Sequence, residues 1–132
     1  MSVEIKAVIE KFRGGEEESA LFELVEMPGD VIPQLIDSFR AESSPDVRAF
    51  LVKAGWQRRD KSVIPLLGEA LNDFDEEVWQ EALDRLVTLA SDESSEVLQS
   101  ARTRQFADPA VHKRFHLWLE EAIQQVQLEM RR

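Results

Sequence analysis

The sequence predicts an all-α protein, an α-solenoid of about four antiparallel helical hairpins with a period of about 32 residues. Three observations predict it. Asp30-Val31-Ile32-Pro33 and Ser62-Val63-Ile64-Pro65 are near-copies 32 residues apart, and Ser94 with Ser95-Glu96-Val97 follows after another 32. A second series interleaves: Ser44-Pro45-Asp46-Val47, Asp75-Glu76-Glu77-Val78 and Asp108-Pro109-Ala110-Val111, with the valines 31 and 33 residues apart. Between these points apolar residues recur with helical period, and no stretch alternates with the period of two that a strand requires.

Each element follows from local chemistry. Ile5, Val8, Ile9 and Phe12 mark a helix over 2–13, and Gly14-Gly15 reads as the turn that ends it. Leu21, Leu24 and Val25 mark a second over 17–27. Asp and Ser accept orphan N–H groups at helix starts, and proline is tolerated in the first turn, where no intrahelical N–H is lost. Asp30 and Pro33 therefore open a helix over 31–41, with Ile32, Leu35, Ile36 and Phe39 at i, i+3, i+4, i+7. Ser44-Pro45 opens 45–57, on which Val47, Phe50, Leu51 and Ala54 share the same spacing. Ser62 opens 63–72 and Asp75 opens 76–91, with Val78, Ala82, Leu86 and Leu89 in one stripe and Trp79 and Leu83 beside it. Ser94 opens 95–105, and Asp108-Pro109 opens 109–130. A lone hairpin cannot bury both of its apolar sides, so repeats stack and the end units become caps. The long last helix suits a cap, with Lys113, Glu120, Glu121, Gln124 and Gln125 on its outer face. One domain over 1–132 is expected.

Composition narrows the function. Apolar residues make up 43% of the chain and charged ones 32%, enough for a core and against disorder. Sixteen basic against 26 acidic residues give a net charge of −10, which opposes whole-chain affinity for nucleic acid or an anionic membrane. Without cysteine there is no disulfide, thiolate ligand or cysteine nucleophile. The N-terminus lacks a signal peptide's apolar core, and no run of about 18 apolar residues could span a bilayer. A soluble, cytoplasmic location is the expectation.

Val63-Ile64-Pro65-Leu66-Leu67 with Ala70-Leu71, then Asn72-Asp73, Asp75-Glu76-Glu77-Val78, Ala82 and Leu86, resembles a HEAT-like repeat. It is closest to the short type also found in phycobilisome-lyase proteins. Pro45-Asp46-Val47-Arg48 with Ala54-Gly55 resembles the second helix of the preceding unit. The likeness is good over about 30–90, weaker over 91–130 and structural in kind before that. It implies a right-handed solenoid that binds other macromolecules through a concave surface of second helices, and implies no reaction. The family places arginine after the valine. Arg48 keeps it, but Trp79 and His112 replace it, which puts that arginine's contacts in doubt for two units.

Candidate chemistry is sparse. His112, His116 and Glu120 stand at i, i+4, i+8 and could share a zinc ion. They fall short of the zincin pattern, because Lys113 occupies the place of its glutamate and Arg114 adds positive charge. No nucleophile elbow or phosphate loop occurs, and no catalytic residue, metal or cofactor is expected. Trp118 reads as core, and Trp79 as packed between repeats. Trp56 lies opposite the Val47 stripe, as an exposed anchor or, preferably, as packing between units. Charge is uneven: residues 67–97 hold ten acids against Arg85 alone, while 48–61 carry net +4 and 98–114 net +3. On helix 76–91 the face opposite the apolar stripe holds Glu77, Gln80, Glu81, Asp84 and Thr88.

The function expected is a non-catalytic protein–protein interaction module. It would present this acidic ridge, with Trp56 as a further contact, to a basic protein partner, and an inhibitor or immunity-type protein is one form of it. A small metal-dependent or lyase-like enzyme on the same repeats is the alternative. Nucleic-acid binding through 48–61 ranks third.

Overall fold

A computed structural model describes residues 3–28, 31–57 and 61–132. Asp30, Arg58, Arg59 and Asp60, with the capping and basic-strip roles expected of them, lie outside that set. Among the described residues eight α-helices follow one another: α1 (Val3–Arg13), α2 (Glu17–Val25), α3 (Val31–Ala41), α4 (Pro45–Gln57), α5 (Ile64–Leu71), α6 (Glu76–Leu89), α7 (Asp92–Ser100) and α8 (Pro109–Met130). The described residues contain no strand, and none of their helices is long and apolar enough to cross a membrane.

Local signals place most of the boundaries. After α1, Gly15 takes φ +89, Glu16 N–H bonds the Lys11 carbonyl and Gly15 N–H that of Phe12, a left-handed stop that suits glycine. Asp108 Oδ1 caps α8 by accepting from Ala110 N–H at 2.9 Å. Three expectations are corrected. Ser62 does not start α5; it sits within a 3-10 turn, Lys61–Val63, and the helix begins a residue later. Helix α7 begins at Asp92 rather than 95. Its N-cap is Ser91, whose Oγ accepts the N–H of Ser94 at 3.1 Å, and Ser94 itself is wholly buried in the first turn. The earlier start brings Asp92 and Glu93 to the positive end of the helix dipole. Helix α6 stops at Leu89 because Ala90 turns left-handed, at φ 46.

The helices pair as hairpins, α1 with α2, α3 with α4, α5 with α6 and α7 with α8. They stack so that α2, α4, α6 and α8 form one layer, each packed on the next, while α1 meets α3 and α5 meets α7 in the other. The apolar stripes meet between the layers in one continuous core, from Ile5 to Val126. Helix α6 is central, packed on α4, α5, α7 and α8.

Each repeat is tied to the next differently. Arg48 of α4 is largely buried; its guanidinium reaches Asp73 Oδ2 and Oδ1 at 2.9 and 3.1 Å and Asp75 Oδ2 at 2.8 Å. It also donates to the carbonyls of Glu42 and Ser43. The Asp75 carboxylate, drawn to Arg48, does not cap its own helix. At the matching position of α6, Trp79 is wholly buried and meets Phe115 edge-on at 5.1 Å and Trp118 at 5.6 Å. Such pairs add about 0.5–1.5 kcal/mol each beyond burial. At the third, His112 Nδ1 accepts the N–H of Phe106 at 3.3 Å. Arg104 crosses in the opposite direction, lying over the Phe106 ring at 4.1 Å and donating to the carbonyls of Leu71 and Asp73. At this recurring position the buried arginine thus gives way to an aromatic side chain along the stack.

Candidate functional site

The layer of even-numbered helices carries a groove of about 620 Å³ between α6 and α8. Gln80, Leu83, Asp84, Val87 and Thr88 line it from α6, and Trp118, Glu121, Ala122 and Gln125 from α8. Helical spacing explains both walls. Residues 80, 84 and 88 stand at i, i+4, i+8, and residues 118, 121, 122 and 125 at i, i+3, i+4, i+7, so each set shares one helix face. The floor is apolar (Leu83, Val87, Trp118, Ala122) and the rim polar. Asp84 and Glu121 carry no ion pair among the described residues, and no basic residue lines the groove. A concave apolar floor with uncompensated carboxylates at its edge suits an amphipathic ligand carrying positive charge.

The expected ridge of α6 is divided by its neighbours. Gln80, Asp84 and Thr88 face α8 in the groove. Gln80 is held by a 2.8 Å bond from Nε2 to Glu76 Oε2, and Thr88 Oγ1 donates to the Asp84 carbonyl at 2.8 Å. Glu77 and Glu81 turn toward α4 instead. Glu81 Oε1 accepts from Arg85 Nε at 2.9 Å, so its charge is compensated. Glu77 has its pKa raised, first by partial withdrawal of its carboxyl from water, then by the Asp46 carboxyl facing it and the charges of Asp75 and Glu81.

Trp56 is not an exposed anchor. It is 8% exposed, and the Arg85 guanidinium lies 4.6 Å above its ring, so the packing expectation describes its position between α4 and α6. Trp118 is corrected the other way: expected in the core, it is half-buried, resting on Trp79 and presenting its remaining surface to the groove. Glu121 and Gln125, expected on the outer face of a cap, form the second rim. The 118–125 spacing was the signal available for that wall. It went unread because α8 had no assigned neighbour on that side.

The histidine flank has structural occupations. His112 is held through Nδ1 as above, and His116 Nε2 donates to the Arg104 carbonyl at 2.7 Å. Glu120 is forked to Arg102 through two 2.9 Å bonds, which lower its pKa. Arg114 is drawn away to Glu76 of α6 at 2.7 Å. Together these contacts fasten the 101–108 segment to α8.

Residues 32–110 match the sequence model of HEAT repeats. No curated protein and no solved structure matches the chain. The match is to HEAT repeats at large and does not single out the short lyase-associated type.

Proposed function

From the premise that the chain belongs to the HEAT-repeat family, we propose that it is a non-catalytic protein-binding module whose α6–α8 groove receives a basic, amphipathic segment of a protein partner. HEAT repeats generally mediate contacts between proteins. The observation that carries the reading is the pair of carboxylates, Asp84 and Glu121, that have no ion partner among the described residues and flank the half-buried Trp118. The apolar floor supplies affinity through buried area. The carboxylates supply steering and select against acidic partners. Glu77 and Glu81 do not line the groove, and the charge of Glu81 is taken up by Arg85. One domain spanning 1–132 accords with the continuous core. An acidic blocker that covers the functional surface of a basic protein is one form this module could take.

The test begins with affinity purification of the partner from the source cell, followed by stopped-flow association at several salt concentrations. Wild-type association slows as salt rises, because steering is screened over a Debye length of roughly 8 Å at physiological salt. Asp84→Lys with Glu121→Lys abolishes or reverses that dependence, and Trp118→Ala speeds dissociation. Equal association rates for wild type and the double variant at low salt would refute the groove.

A further inference from the structure

The two joints on either side of α6 use the same chemical parts and complete them differently. Toward α4, the Arg85 guanidinium lies 4.6 Å above the Trp56 ring, and the same arginine donates its Nε proton to Glu81 Oε1 at 2.9 Å. Ring, cation and carboxylate all come from this chain there. Toward α8, the half-buried Trp118 meets the groove together with Asp84 on one wall and Glu121 on the other. Ring and carboxylates are in place, and among the described residues no cation joins them.

Neither helix has a cation to offer. Arg85 is the only basic residue of α6 and is held on the α4 side. On α8, Arg114 is drawn to Glu76 at 2.7 Å, and Lys113 stands about 140° around the helix from Trp118. The polar groups of the rim also present oxygen. Gln80 turns its Nε2 to Glu76 and Gln125 turns its Nε2 to Glu129, each along its own helix, which leaves both amide oxygens toward a ligand. Thr88 Oγ1 donates its proton to the Asp84 carbonyl and keeps only lone pairs. The groove thus accepts hydrogen bonds over an apolar floor. A guanidinium meets both conditions: it has five N–H donors and no acceptor, and its flat, weakly hydrated face stacks on an indole. A lysine ammonium holds its water more tightly and has no face to stack.

We propose that the α6–α8 groove is an arginine seat. The partner's segment inserts one arginine, with its guanidinium flat on Trp118 and hydrogen-bonded to Asp84 and Glu121, and its methylenes on Leu83 and Val87. The contact makes between two chains what Arg85 makes with Trp56 and Glu81 within one. The inference rests on the protein-binding reading above and adds the side chain that decides which basic partner is taken. Arginine, rather than positive charge in general, is what the groove selects.

The experiment selects random-sequence peptides displayed on phage against the full chain and, in parallel, against Asp84→Asn with Glu121→Gln. Both positions are exposed, and the double variant keeps the melting curve of the wild type. Peptides enriched only on the wild type converge on an arginine beside apolar residues. A synthetic peptide from that set binds at least about tenfold more weakly when its arginine is replaced by lysine. On Trp118→Leu, which keeps the floor apolar and removes the ring face, the arginine and lysine peptides bind alike. Independently of that variant's folding, the wild-type complex gives nuclear Overhauser contacts between the arginine δ-protons and the Trp118 indole. Peptides that depend on Asp84 and Glu121 but bind equally well with lysine, or an arginine without those contacts, would overturn the arginine seat and leave the groove reading standing. A selection that yields no peptide dependent on Asp84 and Glu121 removes both.

Discussion

Gly55 shows how closely the repeats are packed at the residue scale. A Cβ there would lie 3.0 Å from Leu35 Cδ2, 3.0 Å from Leu66 Cδ2 and 3.1 Å from Val63 Cγ2, side chains that approach α4 from α3, from α5 and from the 3-10 turn before it. In a solvent-facing helix, alanine would be favoured over glycine by about 1 kcal/mol. Here overpacking, at about 1–3 kcal/mol, opposes that gain. Gly55→Ala is expected to destabilise by about 1 kcal/mol net in urea or thermal unfolding; an unchanged or raised midpoint would show that the three side chains give way freely. Glu77 offers a test of opposite sign. Its carboxyl holds its proton to higher pH in the fold than in the open chain. The folded state is therefore penalised at neutral pH, and the penalty fades as pH falls through the folded pKa. Glu77→Gln should raise the melting temperature at pH 7, with a gain that shrinks as the medium is acidified toward the usual carboxylate range. A gain independent of pH would rule out this titration as its source.

Among the elements, α6 shows how one helix serves several purposes through its separate faces. Val78, Ala82 and Leu86 are wholly buried, Trp79 takes the contact to α8, and the 80–84–88 face is left for the groove. Its C-terminus carries a correctable strain. Ala90, at φ 46 and ψ 51, occupies the left-handed region, where a Cβ is unfavourable by about 1–2 kcal/mol. Glycine relieves this but gives the unfolded chain more freedom. Ala90→Gly should thus stabilise the protein by about 0.5–1 kcal/mol, read from the denaturant midpoint. A loss of stability would mean that the Ala90 methyl makes packing contacts outweighing the strain.

For the whole molecule, stability is shared between neighbours, as a stacked array requires. Helix α6 contacts four other helices, and α8 covers Trp79 with Phe115 and Trp118. Removing residues 92–132 strips away that cover and the α7 contact together. The 1–91 fragment should aggregate or lose its sharp thermal transition, as judged by light scattering and circular dichroism. A soluble fragment that melts cooperatively would show that α7 and α8 are an appendage. The same sharing explains why the recurrent arginine can be dispensed with after α4. Arg48 joins its repeat to the next by charge, while Trp79 and Arg104 make the following joint from ring contacts and backbone carbonyls.

What could be read along the chain was whatever adjacent residues decide among themselves. The bounds of α3, α4 and α8 coincide with expectation, because an early proline and an apolar stripe act within a few residues of one another, joined in α4 and α8 by the caps Ser44 and Asp108. The HEAT-like repeat was legible for the same reason, since its period is built from those local signals. Local chemistry was ambiguous at α7, where Ser91 and Ser94 are both good caps; burial of Ser94 settled the choice. The groove was half legible. Gln80, Asp84 and Thr88 emerged from the helical period of α6, but their separation from Glu77 and Glu81 depended on α8 lying to one side and α4 to the other. Trp56 kept the preferred packed environment and Trp118 left the core for the same reason: amphipathic period distinguishes the faces of a single helix, whereas exposure depends on which neighbours cover them.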